Sequence, residues 1–133
     1  MGNRIEIDGN LGQDPSLDTP EVGGETRQVC NLRIYAPNWR LDKESGEYSE
    51  QGGFWITGSV WGPQAEACHR LLKKGNRVRV VGRLREDQWT DRESGDEMSA
   101  LRLVIDEVSL PVGRVDSVAF QARRHAPDGA PTR

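Results

Sequence analysis

A chain of 133 residues can enclose one domain with its own core and falls short of two ordinary ones. Its hydrophobic content of 35% reaches the usual globular proportion once the 15 glycines are counted with it, so glycine-rich turns rather than disorder explain the composition. The net charge of −3 argues against a polyanionic partner only on average. Residues 1–110 carry 14 Lys/Arg against 19 Asp/Glu and residues 111–133 carry 4 against 2, so any basic surface must be built locally.

No stretch approaches the roughly 20 apolar residues of a membrane span, and the start "MGNRIEID" has no signal-like apolar core. The expectation is a soluble, cytoplasmic protein. Cys30 and Cys68 show no paired ligand spacing and His69 and His125 add no set around them, which predicts buried thiols and neither metal nor cofactor.

In chain order, "NRIEIDGNLG" (3–12) alternates Ile5, Ile7 and Leu11 against Glu6, Asp8 and Asn10, the period of a half-buried strand. A loop rich in proline, glycine and acids, "QDPSLDTPEVGGET", follows. "RQVCNLRIYA" (27–36) puts Cys30, Leu32 and Ile34 on one face and Asn31, Arg33 and Tyr35 on the other, and leads into a second loop, "PNWRLDKESGEYSEQGG". In "FWITGSVW" (54–61) Phe54, Ile56, Gly58 and Val60 share a face. The opposite face holds Trp55, Thr57, Ser59 and Trp61, so two indoles stand where burial in the core is not their purpose.

The period then changes. "GPQAEACHRLLKKG" has a proline near a helix start, apolar residues at helical spacing (Ala65, Cys68, Leu71, Leu72) and Gly75 at the close. "NRVRVVGRLR" (76–85) returns to alternation, with Val78, Val80 and Leu84 against Arg77, Arg79, Val81, Arg83 and Arg85. "EDQWTDRESGDE" reads as a connection and "MSALRLVIDEVSL" as a last, mainly apolar strand. "DKESGE" and "DRESGD", which follow Trp39 and Trp89, read as hairpin tips of convergent turn chemistry. The order strand, strand, strand, helix, strand, strand predicts an all-β protein. Its form is a five-stranded Greek-key barrel of the oligonucleotide-binding type (OB-fold), with one short helix between strands 3 and 4. The domain is expected over 1–112, with 113–133 a flexible tail.

Trp39, Trp55, Trp61 and Trp89 lie on the outward face of the third strand or on the loops read as hairpins, none in an apolar run at core spacing. Unpaired bases explain such rings, because stacking on an indole is worth about 1–3 kcal/mol per base and hardly depends on base identity. Cations must then follow the phosphates. Arg77, Arg79, Arg83 and Arg85 share a strand face, and Arg33, Arg40, Lys43, Lys73 and Lys74 lie on neighbouring segments. A single strand tryptophan is more often core or interface, and an alternating basic strand is usually just solvated; the coincidence of four indoles with the basic strand is what favours a nucleic-acid site. There is no Ser/His/Asp set and no phosphate-cradling glycine loop, so catalysis is not expected.

Several segments, in the same order and spacing, resemble the bacterial single-stranded DNA-binding protein family. These are "NRIEIDGNLGQDP", "NWRLDKESGE", "LLKKGNRVRVVGRL" and "QWTDRESGD", and the resemblance covers about residues 3–110. It implies base stacking on Trp39, Trp55, Trp61 and Trp89 and phosphate contacts from Arg40, Lys43, Lys73, Lys74 and Arg85. It also implies a homo-oligomer, tetramer or dimer, acting on single-stranded DNA at the nucleoid in replication, repair, recombination or element transfer. The chain departs from the family at "EDQ" before Trp89, at Pro63 and at Thr57, where basic residues are common; fewer phosphate contacts and a shallower salt dependence are expected. "RRHAPDGAPTR" lacks the acidic tip by which the family recruits repair enzymes, so an accessory or mobile-element paralogue without that recruitment is expected. Glu6 and Asp8 are acidic where outward positions of the first strand are commonly apolar in the family. The competing reading is an OB-fold protein-interaction module of a replication, primosome or conjugation assembly, with the indoles as a protein contact surface. Stacking platforms read base faces and not sugars, so DNA and RNA are not separated at this level.

Overall fold

The structure is a computed structural model and describes residues 2–123. Five long or medium strands carry the architecture: β1 (Ile5–Leu11), β5 (Val29–Leu41), β6 (Tyr48–Trp61), β7 (Arg77–Thr90) and β8 (Glu97–Ser109). Three short strands, β2 (Ser16–Asp18), β3 (Glu21–Val22) and β4 (Glu25–Thr26), lie between β1 and β5. Helix α1 spans Pro63–Leu71, between the third and fourth barrel strands, β6 and β7.

The sheet runs β1-β7-β8-β6-β5, with β2 on the outer edge of β5, and a second pairing of β1 with β5 closes it into a barrel. All contacts are antiparallel except β6 with β8, which run parallel from Thr57↔Arg102 to Val60↔Ile105. Closure brings the second edge of β1 against β5 at Asn10↔Tyr35 and Leu11↔Ile34, while Asn10 still pairs with Arg77 of β7 on its first edge. Gly9 sits at that crossing, where a Cβ would lie 2.6 Å from Ile34 Cγ2, so a side chain there would push the two strands apart.

The interior is built from the alternating faces. Leu32, Ile34, Val60, Val78, Val80 and Leu103 are sealed, and α1 closes one end of the barrel with Ala65 and Cys68 turned inward. Pro63 opens the helix behind Gly62, a position where the absent N–H costs nothing. The last turn is tied by the Leu72 N–H to the Cys68 carbonyl. No polar or charged side chain is buried among the described residues.

The strands run further than alternation indicates. The segments read as loops around residues 37–53 and 86–97 are the arms of two hairpins that project beyond the barrel, β5–β6 and β7–β8. Their tips are near-copies. Asp42 N–H donates to the Glu47 carbonyl and Gly46 N–H to the Asp42 carbonyl; Asp91 with Asp96 and Gly95 with Asp91 repeat both bonds. The Asp42 and Asp91 carboxylates each accept the N–H two residues on, and Gly46 and Gly95 take φ of 75° and 76°, the left-handed turn that favours glycine. The loop after β1 also holds more than expected: β2 pairs with β5, and β3 and β4 form a small hairpin about Gly23-Gly24. Phe54, expected on the buried face of β6, is exposed, because that face runs past the rim of the barrel. Val112–Arg114 form one 3-10 turn and residues 115–123 no helix or strand; the remainder of the expected tail lies outside the described residues. No helix among them is long and apolar enough to cross a membrane.

Candidate nucleic-acid interface

Residues directly opposite on neighbouring strands point to the same side of a sheet, so the pairings lay out the outer face row by row. One row crosses four strands: Arg33 on β5, Thr57 on β6, Arg102 on β8 and Arg85 on β7. The next row toward the helix is Asn31, Ser59, Val104 and Arg83, with Ser59 donating to the Asn31 side-chain oxygen. On the hairpin side Tyr35 stands opposite Trp55. Trp61 follows two residues beyond Ser59 on the same face of β6, and Trp89 lies opposite Met98 on the same face of β7 as Arg85.

All four indoles remain accessible. Trp39 is 55% exposed, Trp55 50% and Trp89 49%, while Trp61 is partly covered. Trp39 lies opposite Glu50, whose carboxylate accepts the Tyr35 hydroxyl at 2.6 Å; this bond raises the Tyr35 pKa. Tyr35 in turn packs against Trp55, with ring centroids 5.1 Å apart and planes tilted by 52°. The Arg33 guanidinium lies 5.4 Å from the Trp55 ring and donates to Thr57 Oγ1. Gly12 completes the setting, because a Cβ there would sit 2.5 Å from Trp55 Cη2 and nearer still to Cζ3. The ring is therefore in contact with the end of β1, Tyr35 and Arg33.

Two recesses flank the arginine row. One, of about 230 Å³, is lined by Arg33, Thr57, Asp87, Trp89 and Arg102 among others. The second, of about 500 Å³, brings together Arg27, Trp61, Arg83 and Arg85 under Val22 of the small hairpin, and there Arg27 lies 5.2 Å from the Trp61 ring. Arg27 and Arg102 belong to this surface although the sequence reading did not single them out. Arg27 opens the second alternating run on the same face as Arg33, and Arg102 stands alone in a run read as apolar.

The other basic candidates separate. Arg79 is bonded to Asp8 at 2.7 Å and lies 3.5 Å from Glu6, which lowers the Asp8 pKa through the bond to Arg79 and raises that of Arg79. Arg77 faces Asn10 and lines a recess with Leu110 and Arg114. Neither lines the two recesses described above, because both sit at the start of β7, where it pairs with β1, and Arg85 and Trp89 lie further along the strand. Lys73 and Lys74 are exposed at the end of α1, where the Lys74 backbone N–H donates to Asp14. Arg40 and Lys43 are exposed on the β5 arm and its tip.

Among the described residues no group of His, Cys, Asp and Glu is placed to hold a metal ion. Both cysteines are buried and unbridged; desolvation, with Cys68 close by, pushes the Cys30 thiol up to about 11.

Known structures share this architecture. A small single-stranded DNA-binding protein from Streptomyces coelicolor superimposes with a TM-score of 0.69 at 15% identity, over 86% of this chain and 99% of the other; that likeness establishes the OB-fold. The model of the family described as "Single-strand binding protein family" matches residues 2–111. The match takes in every strand, the helix, both hairpins and all four indoles, and the chain belongs to the single-strand binding protein family.

Proposed function

We propose that this protein binds and protects single-stranded DNA without regard to base sequence, in replication, repair, recombination or element transfer. The observation that carries this reading is the row Arg33, Thr57, Arg102, Arg85 crossing one sheet face, with Trp55, Trp61 and Trp89 beside it and open to solvent or only partly covered. Bases stack on the indoles, while the guanidiniums neutralise phosphates and release their counterions. A guanidinium over an indole, as at Arg33 and Arg27, also keeps its charge at the level where the backbone of a stacked strand would pass.

The working form is a homo-oligomer. Along Ile5–Gly9, β1 pairs only with β7, so its other edge has no strand partner among the described residues, and an unpaired edge is a template for another chain. Phe54 and Leu101, on the inner faces of β6 and β8 beyond the barrel, are 44% and 59% exposed in a single chain, which supports burial between copies.

Titration with oligo-dT tests the binding site. Tryptophan fluorescence is expected to be quenched and restored by salt, and Trp55→Ala and Trp61→Ala each to weaken binding by about 1–3 kcal/mol without loss of folding. Fluorescence indifferent to the oligonucleotide would transfer the indoles to a protein contact surface instead.

A further inference from the structure

The arginines of the outer face are not all free to meet a phosphate. Asp87, on β7, accepts from Arg85 Nε at 2.9 Å through one carboxylate oxygen and lies 3.1 Å from Arg102 Nε through the other. Its side chain is 29% exposed, less than either arginine, and it lines the same recess as Trp89, Thr57 and Arg33. One carboxylate thus bridges two of the three guanidiniums of the row and places a negative charge beside the indole of Trp89. Asp106 is a weaker analogue, reaching only Arg83 at 3.3 Å, and Glu6 and Asp8 hold Arg79, which is not part of the row.

We infer that Asp87 is an internal competitor for the DNA backbone, an affinity-limiting residue that holds Arg85 and Arg102 until a strand's phosphate displaces it. This rests on the reading of the face as a single-strand site. The physical basis is exchange. An exposed ion pair is worth at most about 1 kcal/mol, so a phosphate can replace the carboxylate, but part of the gain from its counterion release is spent on parting the pair. A strand held in this way leaves the site more readily than one held by unencumbered arginines, which suits a coat that polymerases and nucleases must remove.

The test is Asp87→Asn, which keeps the size of the side chain and removes its charge, on a hairpin arm clear of the sealed core. Binding of fluorescently labelled oligo-dT is measured for the wild type and the variant from 0.05 to 1 M salt. If the variant frees the equivalent of one phosphate contact, its salt slope steepens by about 0.7, equivalent to roughly fivefold tighter binding at 0.1 M salt that fades toward 1 M. The gain is expected to vanish in an Arg85→Gln/Arg102→Gln background. Thermal melting reports folding, with Asp87→Ser as a second neutral replacement. Unchanged binding, or weaker binding showing that Asp87 positions the guanidiniums, would overturn the inference, as would a gain that persists without the two arginines. A wild type that ignores the oligonucleotide would bring down the single-strand reading, and this inference with it.

Discussion

Gly12→Ala probes the Trp55 platform without touching an aromatic ring or a charge. Gly12 continues the β1–β5 contact by donating its N–H to the Arg33 carbonyl at 2.9 Å, and its φ lies outside the left-handed region, so alanine keeps both the bond and the backbone. The new methyl would stand 2.5 Å from Trp55 Cη2, whereas ordinary carbon contacts lie at about 3.5–4.0 Å. The indole must therefore retreat by about 1 Å from its setting beside Tyr35 and the Arg33 guanidinium. Losing the whole platform would cost about 1–3 kcal/mol; a displaced ring that still offers one face is expected to cost about 1 kcal/mol, near fivefold in Kd. Equilibrium titration with labelled oligo-dT measures this, with indole emission of the free variant reporting the tilt and thermal melting confirming the fold. In a Trp55→Ala background the same substitution should add less than about 0.5 kcal/mol, because its only route to the ligand has been removed. Wild-type affinity together with unchanged emission, or full additivity with Trp55→Ala, would refute the proposed setting of the ring.

The Cys30 thiol, pushed up to about 11 by burial, is about one part in a thousand thiolate at pH 8. A thiol reagent is therefore expected to release nothing from the folded protein at that pH and two equivalents in denaturant; prompt reaction in native buffer would contradict the burial of Cys30 on β5 and Cys68 on the inner face of the helix. Light scattering behind a sizing column is expected to give two or four times the chain mass of 14.9 kDa. A monodisperse single-chain mass at micromolar concentration would leave the free edge of β1 without the partner proposed for it.

Strand alternation was legible wherever one face is sealed. Ile7 and Leu11 on β1, Leu32 and Ile34 on β5 and Val78 and Val80 on β7 all point inward as the period of two requires, and the change of period marked the helix. The hairpin arms were illegible for the complementary reason. From Tyr48 to Gly53 and from Gln88 to Thr90 neither face is covered in a single chain, so nothing selects apolar residues at alternate positions, and the segments read as polar loops. The indoles stood out because large rings on a polar strand face lack a packing explanation. The arginine row did not, since it is assembled from β5, β8 and β7, and Arg102 sits among the apolar residues of its own strand. Ion pairing was equally hidden: Arg79 meets Asp8 across 71 positions of sequence, and Arg83 meets Asp106 across 23.

A net-acidic chain holding a polyanion is a matter of distance rather than total charge. At about 0.1 M salt, exposed charges are screened beyond roughly 10 Å, and a strand advances about 3.3 Å per residue. Asp42, at the β5–β6 tip, is nine positions along β5 from Arg33, or about 30 Å, so the acids at that tip scarcely oppose a phosphate lying on the arginine row. Trp39 and Trp89, by contrast, stand only a few residues from the acidic tips. An uncharged base can stack there at little electrostatic cost, whereas a phosphate would meet Glu50 opposite Trp39 or Glu97 beside Met98. The proposed path therefore divides by chemistry: bases contribute most along the arms, and phosphates, with most of the salt dependence of binding, across the four-strand row and the guanidiniums of Arg27 and Arg83 beside it.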